Sequence, residues 1–179
     1  MAITTDLDEV HQAIGEFVVF FQSIEDMYRH LGWQLVDPEK KSWPPQQFRK
    51  ESNQELIDKV TDLYIGLTRR YSFPNGAEKA AEAEELRGVF HTLRKFRNRM
   101  LHSAYHEVKG GGQVVAILRT NPRITLDPDT GEVEYDQEAF DPDKIREQNG
   151  KHAQAFFMLH ALRMQLIHWY PFSRFQGDA

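Results

Sequence analysis

Cysteine is absent from the 179 residues. Disulfides, thiolate zinc sites and thiol nucleophiles are thereby excluded, and the lack fits a reducing compartment such as the cytoplasm. Long apolar runs are lacking too. The strongest, Phe17-Val18-Val19-Phe20-Phe21, is flanked by charged residues and falls far short of the ~20 apolar residues that span a bilayer. Met1 to Leu7 has no basic segment followed by an apolar one, so no signal peptide is expected there and no membrane partner. Positive charge is not in excess. Twenty-two Lys and Arg stand against 27 Asp and Glu, a formal net charge of −5. This disfavours a general nucleic-acid coat or a membrane-surface binder, while a small local basic site stays allowed. Internal repeats and low-complexity segments are also missing.

The remaining composition is that of a globular chain, 40% hydrophobic and 12% aromatic. The length suits one domain, residues 1–179, with its own core. Helical spacing dominates. A first helix is expected from Thr4 or Thr5 to about Leu31, ended by Gly32, with Val10, Ile14, Phe17, Val18, Phe21, Ile24 and Tyr28 on one stripe. Val19, Phe20 and Met27 lie off that stripe and point to a second, partner-facing side. Glu25 falls inside the stripe, where an unpaired carboxylate is costly.

A connection follows, with Asp37-Pro38 and Pro44-Pro45 as breakers. A second helix is expected over Ser52 to Tyr71, a turn over Ser72 to Gly76, and a third helix from about Ala77 to Tyr105. Gly110-Gly111-Gly112 separates two short strands, and a further strand is expected around Gly131 to Tyr135. The last helix is expected from Asp141-Pro142-Asp143 to Tyr170, where Pro171 stops it, with a break allowed at Asn149-Gly150. The fold class is mainly α: a four-helix bundle with a small β-hairpin inserted between helices three and four.

The chemistry concentrates late in the third helix, in Lys95-Phe96-Arg97-Asn98-Arg99-Met100-Leu101-His102-Ser103-Ala104-Tyr105. Helix phase puts Arg97 in the apolar arc, after Leu86, Phe90 and Leu93. Asn98 and His102 fall on its flank one turn apart, along with His91, Arg94 and Tyr105. One account is structural: Arg97 pairs with Glu25 and keeps the first and third helices in register. Another is phosphate chemistry. An imidazole exchanges a proton near neutral pH, a guanidinium forks onto phosphate oxygens, and an asparagine orients either. Arg94, Lys95 and Arg99, with Tyr105, would form the local RNA-binding surface.

Arg97-Asn98-x-x-x-His102 resembles the motif of the HEPN superfamily, an arginine and a polar residue followed by a histidine. Ile14-Gly15-x-Phe17 with Phe21 and Ile24-Glu25 is similar to the first helix of its bacterial members. The resemblance implies a metal-independent endoribonuclease of toxin–antitoxin, phage-defence or RNA-processing systems, acting on RNA as a homodimer. His102 would be general base and acid, Arg97 would stabilise the phosphate, and Asn98 would assist. A cognate antitoxin or other protein is an implied partner. Glu25 as the residue that positions Arg97 is inferred from helix phase alone. Other members are inactive interaction modules, and a bundle that binds a small ligand is a third class.

No cofactor or metal is called for. His102 and His106 have the spacing of two imidazole ligands on a helix, but Ser103-Ala104-Tyr105 lies between them, without the glutamate of a zinc protease. Asp127-Pro128-Asp129-Thr130-Gly131 loosely resembles a calcium loop, but Gly131 occupies a position that needs an oxygen ligand. An ordinary Asp/Pro/Gly turn accounts for it.

Overall fold

The computed structural model describes residues 7–37, 48, 50–71, 75–126 and 133–169. The chain runs α1 (Leu7–Val36), α2 (Asn53–Arg70), α3 (Gly76–Leu101), β1 (Ala104–Gly110), β2 (Gln113–Leu126), β3 (Val133–Ala139) and α4 (Pro142–Trp169). It is mainly helical, with a small antiparallel sheet between the third and fourth helices. That sheet has three strands in the order β1-β2-β3 rather than a lone hairpin. The expected calcium-like turn, the Pro44-Pro45 break, the helix start at Thr4 or Thr5, and the stop at Pro171 lie outside the described residues.

Two compact units divide the chain. The first takes the described residues of Met1–Phe20 and Lys95–Lys151, the second those of Phe21–Arg94 and His152–Ala179. Each has its own core. In the second unit Phe21, Ile24, Tyr28 and Leu31 of α1 meet Leu56, Val60 and Tyr64 of α2, Leu86, Phe90 and Leu93 of α3, and Leu159, Leu162 and Leu166 of α4. In the first, Val10, Ala13 and Phe17 pack with Met100, Ile117, Phe140 and Ile145. Phe17 meets Phe96 edge-on, with ring centroids 5.1 Å apart, and Tyr105 meets Phe140 likewise at 5.3 Å.

Local signals explain the starts of α2 and α4. Ser52 and Glu55 form a capping box at the start of α2: the Glu55 N–H donates to Ser52 Oγ at 3.3 Å, and the Ser52 N–H donates to Glu55 Oε2 at 2.9 Å. Pro142 opens α4 where a missing N–H costs nothing, and Asp141 Oδ1 accepts from the Asp143 N–H at 2.9 Å.

Three boundaries differ from the sequence expectation. α1 continues through Gly32 to Val36. Gly32 is a point of close approach and not a stop: a Cβ there would lie 2.8 Å from Val60 Cγ2 and 2.9 Å from Phe48 Cζ. α4 passes unbroken through Asn149-Gly150, since an interior glycine costs only about 1 kcal/mol. The packing of Ile145 on one side and of Ala155 and Leu159 on the other outweighs that. α3 ends at Leu101, so Ala104 and Tyr105 belong to β1.

The sheet begins with a tight hairpin. Gly110 pairs with Gln113, and the two residues between, Gly111 (φ 61°) and Gly112 (φ 84°), adopt the left-handed conformation that glycine permits. The register shifts between Val108 and Lys109, at a bulge or irregularity. β2 then pairs with β3, placing Arg119 opposite Glu138 and Asn121 opposite Asp136.

Candidate active site

The motif residues sit where α3 ends, in the first unit. The Arg97 side chain is half-buried and its Nη1 donates to Asn98 Oδ1 at 3.2 Å. His102 follows one turn after Asn98, and its backbone N–H still bonds to the Asn98 carbonyl at 3.1 Å. The His102 ring is exposed, and no described residue engages it. An imidazole in that position is open to an incoming substrate.

Glu25, expected from helix phase to meet Arg97, instead takes a hydrogen bond and ion pair from Arg29, one turn along its own helix. A glutamate four residues before an arginine is the favourable helical order, and that local pairing meets the need of the half-buried carboxylate. Arg29 also donates to the Phe48 carbonyl at 3.2 Å. Arg94, half-buried, belongs with Glu25 to the second unit, whereas Lys95 begins the segment of α3 that the first unit takes and is exposed. His91, expected on the motif's flank, meets Asp58 at 2.7 Å and ties α3 to α2.

Arg99, expected to face RNA, forks onto Asp136 of β3, with Nε at 3.2 Å and Nη2 at 2.9 Å. Tyr105, expected on the helix flank, stands on β1, and its hydroxyl donates to the Met100 carbonyl at 3.0 Å. Burial pushes its pKa up to about 12. It is therefore a neutral donor capping α3. His106 lies on β1 as well, so the helical pair of imidazoles with His102 does not form. Among the described residues, no group of three or more His, Cys, Asp or Glu side chains converges as metal ligands would.

The structure also assembles a network that the sequence reading missed. Arg119 on β2 is fully buried, at 0% exposure. Its Nε donates to Glu138 Oε1 at 2.9 Å, its Nη2 to Asp136 Oδ1 at 2.5 Å and its Nη1 to Ser103 Oγ at 2.9 Å. Burial pulls the guanidinium pKa down, but the Asp136 and Glu138 hydrogen bonds overcome this and leave it raised, so the cation persists. The Arg119 hydrogen bond in turn holds the Asp136 carboxyl below the ordinary carboxylate range, with Arg99 adding to the effect. The signal was present in the sequence. Ile117 and Arg119 share one strand face, and Asp136 and Glu138 repeat at the same period of two.

A groove runs along α2. It is an open groove of about 1130 Å³ lined by Leu63, Leu67 and Tyr71 together with Glu55, Asp58, Lys59 and Arg70. Its mixed charge favours no single ligand chemistry. Comparison with family models, with curated proteins and with solved structures returned no match. The HEPN resemblance therefore stands on the motif and its helical setting. Among the described residues, no helix is long and apolar enough to cross a membrane.

Proposed function

We propose that this chain is a metal-independent endoribonuclease of the HEPN type, a cytoplasmic toxin or phage-defence component. One observation carries the reading: Arg97, hydrogen-bonded to Asn98, lies near the end of α3, and an exposed His102 directly follows that end. In the reaction, His102 takes the proton of a ribose 2′-hydroxyl. The 2′-oxygen attacks the adjacent phosphorus, and the bond from phosphorus to the 5′-oxygen breaks. The departing 5′-oxygen takes a proton, leaving a 2′,3′-cyclic phosphate. Arg97 offsets the negative charge that grows on the phosphate oxygens, and Asn98 fixes the Arg97 guanidinium.

One His102 per chain supplies the base, and the same residue of a second copy supplies the acid. The homodimer is supported by the apolar side of α1, where Val19 is 63% and Phe20 47% exposed. A cognate antitoxin would bind the same assembly.

The test is incubation of purified protein with varied single-stranded RNAs in the presence of a chelator. Cleavage that leaves cyclic phosphate ends is expected, and His102→Ala should lower it by about 10²-fold or more. Identical RNA profiles for wild type and His102→Ala would sink the proposal.

A second reading, an inactive HEPN-like interaction module, is favoured by the neutralised cations around the motif. Arg99 and Arg119 are both spent on Asp136 and Glu138. On that reading Arg97→Ala lowers the melting temperature clearly, whereas an active-site arginine is neutral or stabilising when removed.

A further inference from the structure

We propose that Arg119, on the inserted sheet, is a positioning residue for His102 and acts through Ser103. The proposal takes its reaction from the ribonuclease reading above, while its geometry stands independently.

A helix end leaves carbonyls without intrahelical partners. At the end of α3 the carbonyls of Asn98, Arg99 and Met100 are all claimed. The Asn98 carbonyl accepts from the His102 N–H at 3.1 Å, and the Arg99 carbonyl accepts from Ser103 Oγ at 2.6 Å. The Met100 carbonyl accepts from the Ser103 N–H at 3.4 Å and from the Tyr105 hydroxyl at 3.0 Å. Ser103 is the pivot. Its single hydroxyl proton goes to the Arg99 carbonyl, so its lone pairs are left to accept the Arg119 Nη1–H at 2.9 Å.

The guanidinium that grips Ser103 cannot swing away. It is fully enclosed, and its other two nitrogens are held by Glu138 and Asp136. Asp136 also takes the fork from Arg99. The chain is thus fixed on both sides of His102: at Arg99 through Asp136, and at Ser103 through Arg119. His102 stands between these anchors with only its own side-chain torsions left to set. A general base must come within hydrogen-bond reach of the proton it takes, and a displacement of about 1 Å can cost about 10²-fold in rate. The hydrogen bonds of Arg119 go to Glu138, Ser103 and Asp136 and to neither the imidazole nor the motif arginine, so its part in catalysis is to hold the backbone that carries His102. The sheet is then a component of the site, although it contributes no reacting group.

Three variants of the full chain test this: Ser103→Ala, Ser103→Thr and Arg119→Lys. The readouts are kcat and KM on single-stranded RNA and the pH titration of the His102 ring followed by NMR. Ser103→Ala keeps both carboxylate pairs of Arg119 and so preserves the fold. It is expected to lower kcat by about tenfold to a hundredfold, leave KM within about twofold, and shift the His102 ring resonances. Ser103→Thr retains the hydroxyl and is expected to restore kcat to within about threefold of wild type. Lysine cannot reproduce the fork, so Arg119→Lys should behave as Ser103→Ala does.

Unchanged kcat and unchanged His102 resonances in Ser103→Ala would overturn the proposal. So would equal losses in Ser103→Ala and Ser103→Thr, which would make packing the cause in place of the hydroxyl. If the wild type cleaves no RNA, the ribonuclease reading falls and the NMR comparison alone decides. Resonances moved by Ser103→Ala and not by Ser103→Thr keep Arg119 as the residue that fixes His102, and resonances moved by neither overturn it.

Discussion

Replacing Arg119 by methionine isolates the energetic role of the buried guanidinium. Methionine keeps much of the aliphatic length and removes the charge and every donor. Three hydrogen bonds vanish, to Glu138, Asp136 and Ser103. All three have the charged guanidinium as donor, and the two to carboxylates are worth about 1.5–3 kcal/mol each. Stranding a fully buried partner charge would cost about 3–5 kcal/mol, but Asp136 and Glu138 are 36% and 40% exposed and can rehydrate. The thioether side chain gains about half of the ~1.5–3 kcal/mol of a buried apolar residue. The net expectation is a loss of about 2–3 kcal/mol, read as a lower urea midpoint at constant slope by circular dichroism. A variant within about 0.5 kcal/mol of wild type would refute the view that this arginine secures the sheet.

His152 gives a pH test. It is fully buried and meets Phe21 edge-on, with centroids 6.0 Å apart. Burial pulls its pKa from 6.5 to about 4. As pH falls, the unfolded chain takes the proton first, so this part of the stability is whole above pH 6.5 and is lost between 6.5 and about 4, roughly 3 kcal/mol in all. His152→Leu should flatten the fall in urea midpoint over that window, and an unchanged slope would contradict the assignment. Glycines supply the remaining test. Gly32→Ala should destabilise by about 1–3 kcal/mol, since its Cβ would overlap Val60 and Phe48. Gly88→Ala, with nothing within 4 Å, should stabilise by about 0.5–1 kcal/mol in the same urea assay.

Periodicity revealed the four helices because each buries one stripe against a core, and that repeat is written in the apolar residues. The ends were harder. Gly32 resembles a stop, but the close approach of Val60 and Phe48 is a tertiary fact that no local signal carries. Tyr105 fits the phase of α3, yet its hydroxyl closes that helix from a neighbouring strand. Helix phase placed Glu25 and Arg97 each within an apolar stripe, but it could not weigh Arg29, a partner one turn away that already claims the carboxylate. The most enclosed cation among the described residues was overlooked for a different reason. A helical reading directs attention to spacings of three and four, whereas Arg119, Asp136 and Glu138 follow a spacing of two across paired strands. Arg97, Asn98 and His102 were legible because they lie close together in sequence at one helix end.

The register of the sheet has a consequence for how this chain could have been assembled. Ala104, where the sheet begins, pairs with Thr120, and Ala139, where it ends, pairs with Leu118. Entry and exit therefore flank the same short stretch of the middle strand, separated by about two strand spacings, roughly 10 Å. A segment whose ends lie so close can enter the connection between two helices of an ancestral bundle, or leave it, without moving either helix. Once grafted, its middle strand delivers an arginine to the serine beside the motif histidine. An accessory loop thereby acquires a hold on a helix end, and later substitutions within the loop can tune that end without touching the bundle.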